Sequence, residues 1–238
     1  RPSNIRQAYY LLQGRAIPPQ TRDFAVNYVN SWFADIKRSE QNKNDALPAD
    51  WPEDGLMEWL AQQHDKHSDK HNVDNNSASG KDKKAEEPAE MPSKEGAIDS
   101  SLQLAPLILI DGGWLQGFTD IHLASSAVGF PLFEIFWDEL GNGQHQLNHP
   151  KIYRDLLKQM GIDLPPTGSM AFSLDERMDD DSFRLPVLWL CMGKLPLTFL
   201  PEILGMNLAM ELSGVGDGYL FASQFLKHHG FSTRFVDL

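Results

Sequence analysis

A carboxylate and a histidine in the middle of the chain are residue types that bind metal ions, and both fall on helix faces that should be buried. The pattern of residues 130–160 predicts a helix, a turn that contains two glycines, and a second helix. An apolar stripe with steps of four, three and four residues runs along the first helix and consists of Val128, Leu132, Ile135 and Glu139. On the second helix, His149 stands three residues before Ile152, on the apolar side.

This placement of Glu139 has a chemical interpretation and a structural one. A carboxylate on a core face is costly unless it is paired, protonated or bound to a metal. A neutral imidazole nearby offers a nitrogen ligand. In the structural interpretation, Glu139 lies half exposed at the end of its helix and bonds the turn. The acidic neighbours Glu134 and Asp138 point away from the stripe, towards solvent or a flank.

A second carboxylate, Glu211, repeats the pattern on a later helix that begins at Pro201. Its stripe has the same steps and consists of Leu204, Leu208, Glu211 and Val215. Glu202 lies about 180° around this helix from Glu211, which predicts that Glu202 is on the outer face. The histidines of residues 64–71 fall in a solvated, Lys- and Asp-rich run, and the acidic run 175–181 lacks the ligand spacing of a calcium loop. Neither of these runs is a favoured metal site.

The composition excludes several classes of function. The chain has 238 residues, a formal net charge of −12 and a pI of about 5.0, which argues against binding to nucleic acid and to anionic membrane surfaces. A single cysteine, Cys191, leaves no internal disulfide, and its apolar neighbours predict a buried, inert thiol. Because the sequence has neither an apolar run of transmembrane length nor a recognisable signal peptide, we expect a cytoplasmic location.

Three segments of the chain differ in composition. Residues 1–37 contain an amphipathic helix over residues 25–36 and are expected to pack on the folded core. Residues 38–98 are polar and charged, which predicts a flexible, acidic insertion or linker with one apolar island at residues 51–60. Residues 99–238 are expected to form the folded core. Helices of that core are predicted to start at Pro106 and to run over residues 119–141, 150–160 and 218–229.

Three motifs of the core resemble the haem-oxygenase-like iron-dependent oxidases and oxygenases, which are often called iron-containing redox enzymes. The motifs are WDELGNG at residues 137–143, NHPKIYRDLL at residues 148–157 and FLPEILGMNLAMELSGVG at residues 199–216. The resemblance covers residues 99–238 well and residues 1–37 loosely. It implies an all-α, haem-oxygenase-like helical bundle around a non-haem iron or di-iron site that holds one or two Fe²⁺ ions.

The resemblance also implies a ligand set. Iron ligation falls to Glu139, His149 and Glu211, the residues that the spacing already places on core faces. Asp111 is the candidate for the early-helix carboxylate of the family, although the Asp-Gly-Gly turn that it begins offers an equally good structural role. The late His-x-x-x-Asp-x-x-His helix of the family is missing before Leu238. We therefore expect a bundle without its C-terminal helix or helices, in a truncated chain or in a protein that binds metal poorly.

The residues and the resemblance leave three functional hypotheses. The first is a non-haem iron oxidase or oxygenase that activates dioxygen to oxidise a small organic substrate. The second is a truncated or non-catalytic helical module that binds a partner and has no complete metal site. The third is a metal-free, cofactorless oxidase on a related bundle. The expected partners are a small-molecule substrate and dioxygen, and a homodimer is left open.

Overall fold

The computed structural model describes residues 1–40, 55–56, 58–59, 93–214 and 217–237, with side chains for all of these except 39–40, 211–214 and 217–221. Most of the expected insertion, its three histidines and most of its apolar island therefore lie outside the described residues. The described residues form α-helices and 3-10 helices without a strand among them, which confirms the all-α prediction.

Ten α-helices are described along the chain. In order they are α1 (Ile5–Gln13), α2 (Pro19–Glu40), α3 (Lys94–Ile108), α4 (Ile121–Ala124), α5 (Gly129–Glu139), α6 (His149–Gln159), α7 (Met170–Ser173), α8 (Arg184–Lys194), α9 (Leu200–Gly214) and α10 (Asp217–His228). Between them lie the 3-10 helices η1 (Gly113–Thr119), η2 (His145–Leu147) and η3 (Asp180–Phe183). Every helix in the described part of the chain is too short or too polar to span a bilayer.

Helix α8 forms the centre of the core, because its residues from Pro186 to Gly193 are all buried. It packs against α1, α2 and η1. Helix η1 approaches so closely that a Cβ atom at Gly193 would overlap the carbonyl oxygen of Gly113. The rings of Trp114 and Trp189 meet at the same interface, edge to face, with centroids 4.5 Å apart. These contacts hold η1, and the loop before it, firmly against the core.

The helix before η1 starts earlier than predicted. Ser93 caps α3 by accepting a hydrogen bond from the Gly96 amide, and Pro106 lies near the end of this helix. The prediction of a helix start at Pro106 was therefore wrong. Proline removes a backbone donor wherever it occurs in a helix interior. The Tyr9 hydroxyl donates a hydrogen bond of 2.9 Å to the Pro106 carbonyl oxygen, which ties this end of α3 to α1.

The single helix predicted over residues 119–141 is split into α4 and α5. The Ser126 hydroxyl accepts a hydrogen bond of 2.9 Å from the Gly129 amide, and a Cβ atom at Gly129 would overlap the Leu123 carbonyl. The chain therefore turns tightly between the two helices, which the apolar periodicity alone did not indicate. The helices predicted over residues 150–160 and 218–229 are confirmed as α6 and α10, each displaced by one residue.

Helix α9 buries a different face from the predicted one. Ile203 and Asn207 are buried, whereas Leu204 is 42% exposed, so the predicted burial of Leu204 was wrong. Asn207 Oδ1 accepts a hydrogen bond of 3.1 Å from Trp114 Nε1, and this buried bond helps to hold that face inward. Glu202, predicted on the outer face, is half-buried, and its Oε2 atom has no hydrogen-bond partner among the described residues.

Candidate metal centre

Three side chains that can bind a metal ion converge at one end of α5 and α6. Asp111 lies in the loop between α3 and η1, Glu139 is the last residue of α5, and His149 is the first residue of α6. One potential ligand atom from each of the three lies within 4.8 Å of the others. Residues separated by as many as 38 positions in the chain are thus brought to one place.

The histidine lies between the two carboxylates. His149 Nδ1 is 2.6 Å from Glu139 Oε2 and 3.4 Å from Asp111 Oδ2. The side chains of Asp111 and Glu139 are each 17% exposed, and that of His149 is 22% exposed. The cluster is therefore partly withdrawn from water but still in contact with solvent.

The turn between α5 and α6 places Glu139 next to His149. Gly141, with a φ of +87°, lies in the left-handed region, and a Cβ atom there would clash with the backbone of the turn. The Asn148 side chain donates a hydrogen bond of 3.3 Å to the Leu140 carbonyl and caps α6 through its oxygen atom. The sequence left the cap of this helix open between Asn148 and His149. Because Asn148 takes that role, the His149 side chain is available to the site.

The electrostatics of the cluster favour bound protons in the metal-free protein. Hydrogen bonds to Asp111 and Glu139 raise the pKa of His149 to about 10, because both carboxylates stabilise the imidazolium. Burial raises the pKa of Glu139 to about 7, although the hydrogen bond from His149 favours its carboxylate form. At neutral pH the metal-free site therefore holds a proton on His149 that any metal ion has to displace.

The donor set fits iron. Two carboxylates and one imidazole combine hard oxygen donors with a nitrogen donor, a combination suited to iron or manganese. Two partly buried carboxylates side by side also repel each other, and a divalent cation would offset that repulsion. Residues Asp111, Glu139 and His149 could thus hold such an ion.

The structure tests some of the other sequence predictions and leaves one untested. Glu134 and Asp138 are exposed, as their positions on α5 indicate, and Cys191 is buried, with its pKa raised by burial. The side chain of Glu211 lies outside the described residues, so its predicted role as a ligand stays a prediction. The contact of Gly112 with Glu139 was not predicted, and the Asp-Gly-Gly triplet was the only available signal for it.

Comparison with known proteins identifies one family. The model of a family described as iron-containing redox enzyme matches residues 103–238, which is more than half of the chain and includes all three converging residues. The family fits the all-α fold. No curated protein and no solved structure matches the chain.

Proposed function

This chain belongs to the family of iron-containing redox enzymes, and on that premise we propose that it is a non-haem oxidase or oxygenase with iron held at Asp111, Glu139 and His149. The observation that carries the proposal is the convergence of two carboxylates and an imidazole within 4.8 Å in a partly buried site. Glu211 is proposed as a further ligand, and the site is proposed to hold one or two Fe²⁺ ions.

The three residues have distinct roles in this proposal. Asp111 and Glu139 supply the negative charge that balances a divalent ion, and their partial burial strengthens that attraction. His149 contributes a neutral nitrogen once its proton has left. The short turn between α5 and α6 keeps Glu139 and His149 side by side, with His149 Nδ1 2.6 Å from Glu139 Oε2, which supports a role for both as ligands of one ion.

The reaction class follows from the metal that the family implies. If iron were held by Asp111, Glu139 and His149, it would supply the redox chemistry that a reaction with dioxygen needs. The protein would bind a small organic substrate beside the cluster, orient it towards the ion and limit the access of water.

The test compares two glutamates of the same helix. Glu139→Gln removes a ligand charge at the cluster, whereas Glu134→Gln removes the same charge from the exposed face of α5. Each protein is dialysed anaerobically against Fe²⁺, its bound iron is measured, and oxygen uptake is followed after air is admitted. We expect the wild type and Glu134→Gln to bind iron and consume oxygen, and Glu139→Gln to lose most of both.

Two outcomes would count against the proposal. If the wild type binds no iron, the cluster is an ion pair that holds the turn, and the non-catalytic binding module becomes the better explanation. If Glu139→Gln binds iron as well as Glu134→Gln does, Glu139 is not a ligand and the site has to lie elsewhere in the chain.

A further inference from the structure

We propose that Gly112 is a positioning residue of the metal centre: the missing side chain lets the loop that carries Asp111 lie directly against Glu139. This inference rests on the proposed function, because it concerns the separation of two proposed ligands. Gly112 donates no ligand atom. Its role is to set how closely the two carboxylates can approach a common ion.

The backbone at Gly112 has a conformation that favours glycine. Its φ is +75° and its ψ is −1°, which is the left-handed region, and it immediately precedes η1. Residues with a side chain enter this region at a cost, Asn and Asp less so than others. This conformation turns the chain sharply between Asp111 and η1, so that Asp111 faces the end of α5.

A methyl group at Gly112 would lie closer to its neighbours than side chains normally do, so those neighbours would have to shift by a few tenths of an ångström. A Cβ atom there would lie 3.1 Å from Phe136 Cδ2 and 3.3 Å and 3.4 Å from Glu139 Cβ and Cγ. Phe136 and Glu139 are one turn apart on α5, so the methyl group would press on two points of the same helix face. One of those two points is the side chain of a proposed ligand.

The loop cannot easily move away from α5, because its own hydrogen bonds fix its shape and α8 lies directly behind it. The Gly113 amide donates to the Ile110 carbonyl at 2.8 Å, and the Leu115 amide donates to the Gly112 carbonyl at 2.8 Å. Immediately afterwards, the carbonyl oxygen of Gly113 lies so close to Gly193 of α8 that a Cβ atom on Gly193 would overlap it. An added methyl group at Gly112 would therefore displace Glu139 or Phe136 rather than the loop.

A displacement of a few tenths of an ångström matters for a metal site, because ligand distances must be held within about 0.2 Å. Changes to residues that support ligands typically weaken metal affinity about 10-fold to 100-fold. We expect Gly112→Ala to weaken metal affinity in that range.

The experiment separates this contact from backbone strain. Gly161 also has a left-handed φ, of +81°, but a Cβ atom there would meet nothing within 4 Å. Gly161→Ala is therefore a matched control with the same conformational cost and no contact. Wild type, Gly112→Ala and Gly161→Ala are titrated anaerobically with Co²⁺, whose ligand-field absorption reports both affinity and coordination geometry, and each is unfolded by heat.

We expect both alanine variants to melt at a lower temperature than the wild type. Only Gly112→Ala should weaken Co²⁺ binding about tenfold or more and change the shape of the absorption bands. A third variant, Gly112→Asn, accepts the left-handed conformation more readily but still carries a Cβ atom. It should be more stable than Gly112→Ala and equally impaired in binding, and it carries the test if the alanine variant does not fold.

The results distinguish the inference from the function on which it rests. If the wild type binds no Co²⁺, the proposed metal centre fails and the inference fails with it. If the wild type binds and Gly112→Asn or folded Gly112→Ala binds with the same affinity and spectrum, the metal centre stands and the positioning role of Gly112 is overturned. Equal loss in Gly161→Ala would also overturn it, because strain alone would then explain the effect.

Discussion

Metal affinity at the cluster should rise steeply with pH, because an ion has to displace the proton that His149 carries. Hydrogen bonds to the two carboxylates raise the pKa of this histidine to about 10. Below that pH the imidazolium predominates, and only the neutral form can bind a metal. A raised pKa on a ligand therefore weakens binding at neutral pH and strengthens it as the pH increases.

The size of the effect follows from the pKa. With a value of about 10 for His149, roughly one molecule in a thousand has a neutral imidazole at pH 7 and roughly one in ten at pH 9. The affinity should then rise about tenfold per pH unit, or about 100-fold from pH 7 to pH 9, which corresponds to about 2.7 kcal/mol. Burial raises the pKa of Glu139 to about 7, so a second displaced proton should steepen the dependence below pH 7.

The assay uses Mn²⁺, whose free hydrated ion gives an electron paramagnetic resonance signal that disappears on binding. Affinity is measured at pH 7, 8 and 9 in buffers of equal ionic strength. The control is His149→Gln, which has no imidazole to deprotonate, so its residual affinity should rise less steeply with pH than that of the wild type, with only the proton of Glu139 left to displace. An affinity of the wild type that stays constant between pH 7 and pH 9 would refute the reasoning, since no proton would then be displaced.

Three further outcomes are expected. Glu139→Gln should lower the pKa of His149 towards the ordinary 6.5, measured by NMR titration of the metal-free protein, because one of the two stabilising carboxylates is lost. In urea unfolding, the metal-free wild type should lose stability relative to His149→Gln as the pH rises from 6.5 through about 10. A group whose pKa is raised in the folded state stabilises the fold only while it is protonated. Trp114→Phe should destabilise the protein by about 1–2 kcal/mol more than Trp189→Phe. The first substitution leaves the buried Asn207 Oδ1 without its hydrogen-bond donor. The second loses no hydrogen bond, because Trp189 Nε1 has no partner among the described residues.

A different result would contradict each of these three predictions. An unchanged pKa of His149 in Glu139→Gln would mean that Asp111 alone stabilises the imidazolium. Parallel stability curves for wild type and His149→Gln would show that His149 has the same pKa in the folded and unfolded states. If Trp189→Phe destabilises the protein as much as Trp114→Phe, the loss of ring packing outweighs the hydrogen bond to Asn207.

Local sequence determined several of the helices and two members of the candidate site. The apolar period over residues 25–36 predicted a helix that the structure extends to Pro19–Glu40, and the pattern of residues 150–160 predicted α6. The same periodicity placed Glu139 at the end of an apolar stripe, and His149 at the start of the next helix. Only nine residues separate them, so a short turn suffices to bring the two side chains together. Interactions within one turn or two helices are encoded locally and can be derived from spacing.

Long-range packing decided what the periodicity left open. Helix α9 has apolar residues on several faces, and spacing alone predicted that Leu204 would be buried. The structure buries Ile203 and Asn207 instead, where the donor on Trp114 reaches the Asn207 side chain. That donor lies 93 residues earlier in the chain, so no local pattern could have indicated it.

The position of Asp111 shows most clearly the difference between what local spacing predicts and what long-range packing decides. The sequence shows that Asp111 precedes two glycines, which is equally consistent with a metal ligand and with a residue that shapes the turn. Only the tertiary structure brings that residue to 3.4 Å from His149, because η1 is held against α8 and the loop before it against α5. Side-chain spacing along a helix follows from covalent geometry, but the meeting of three separate segments depends on how the whole core packs.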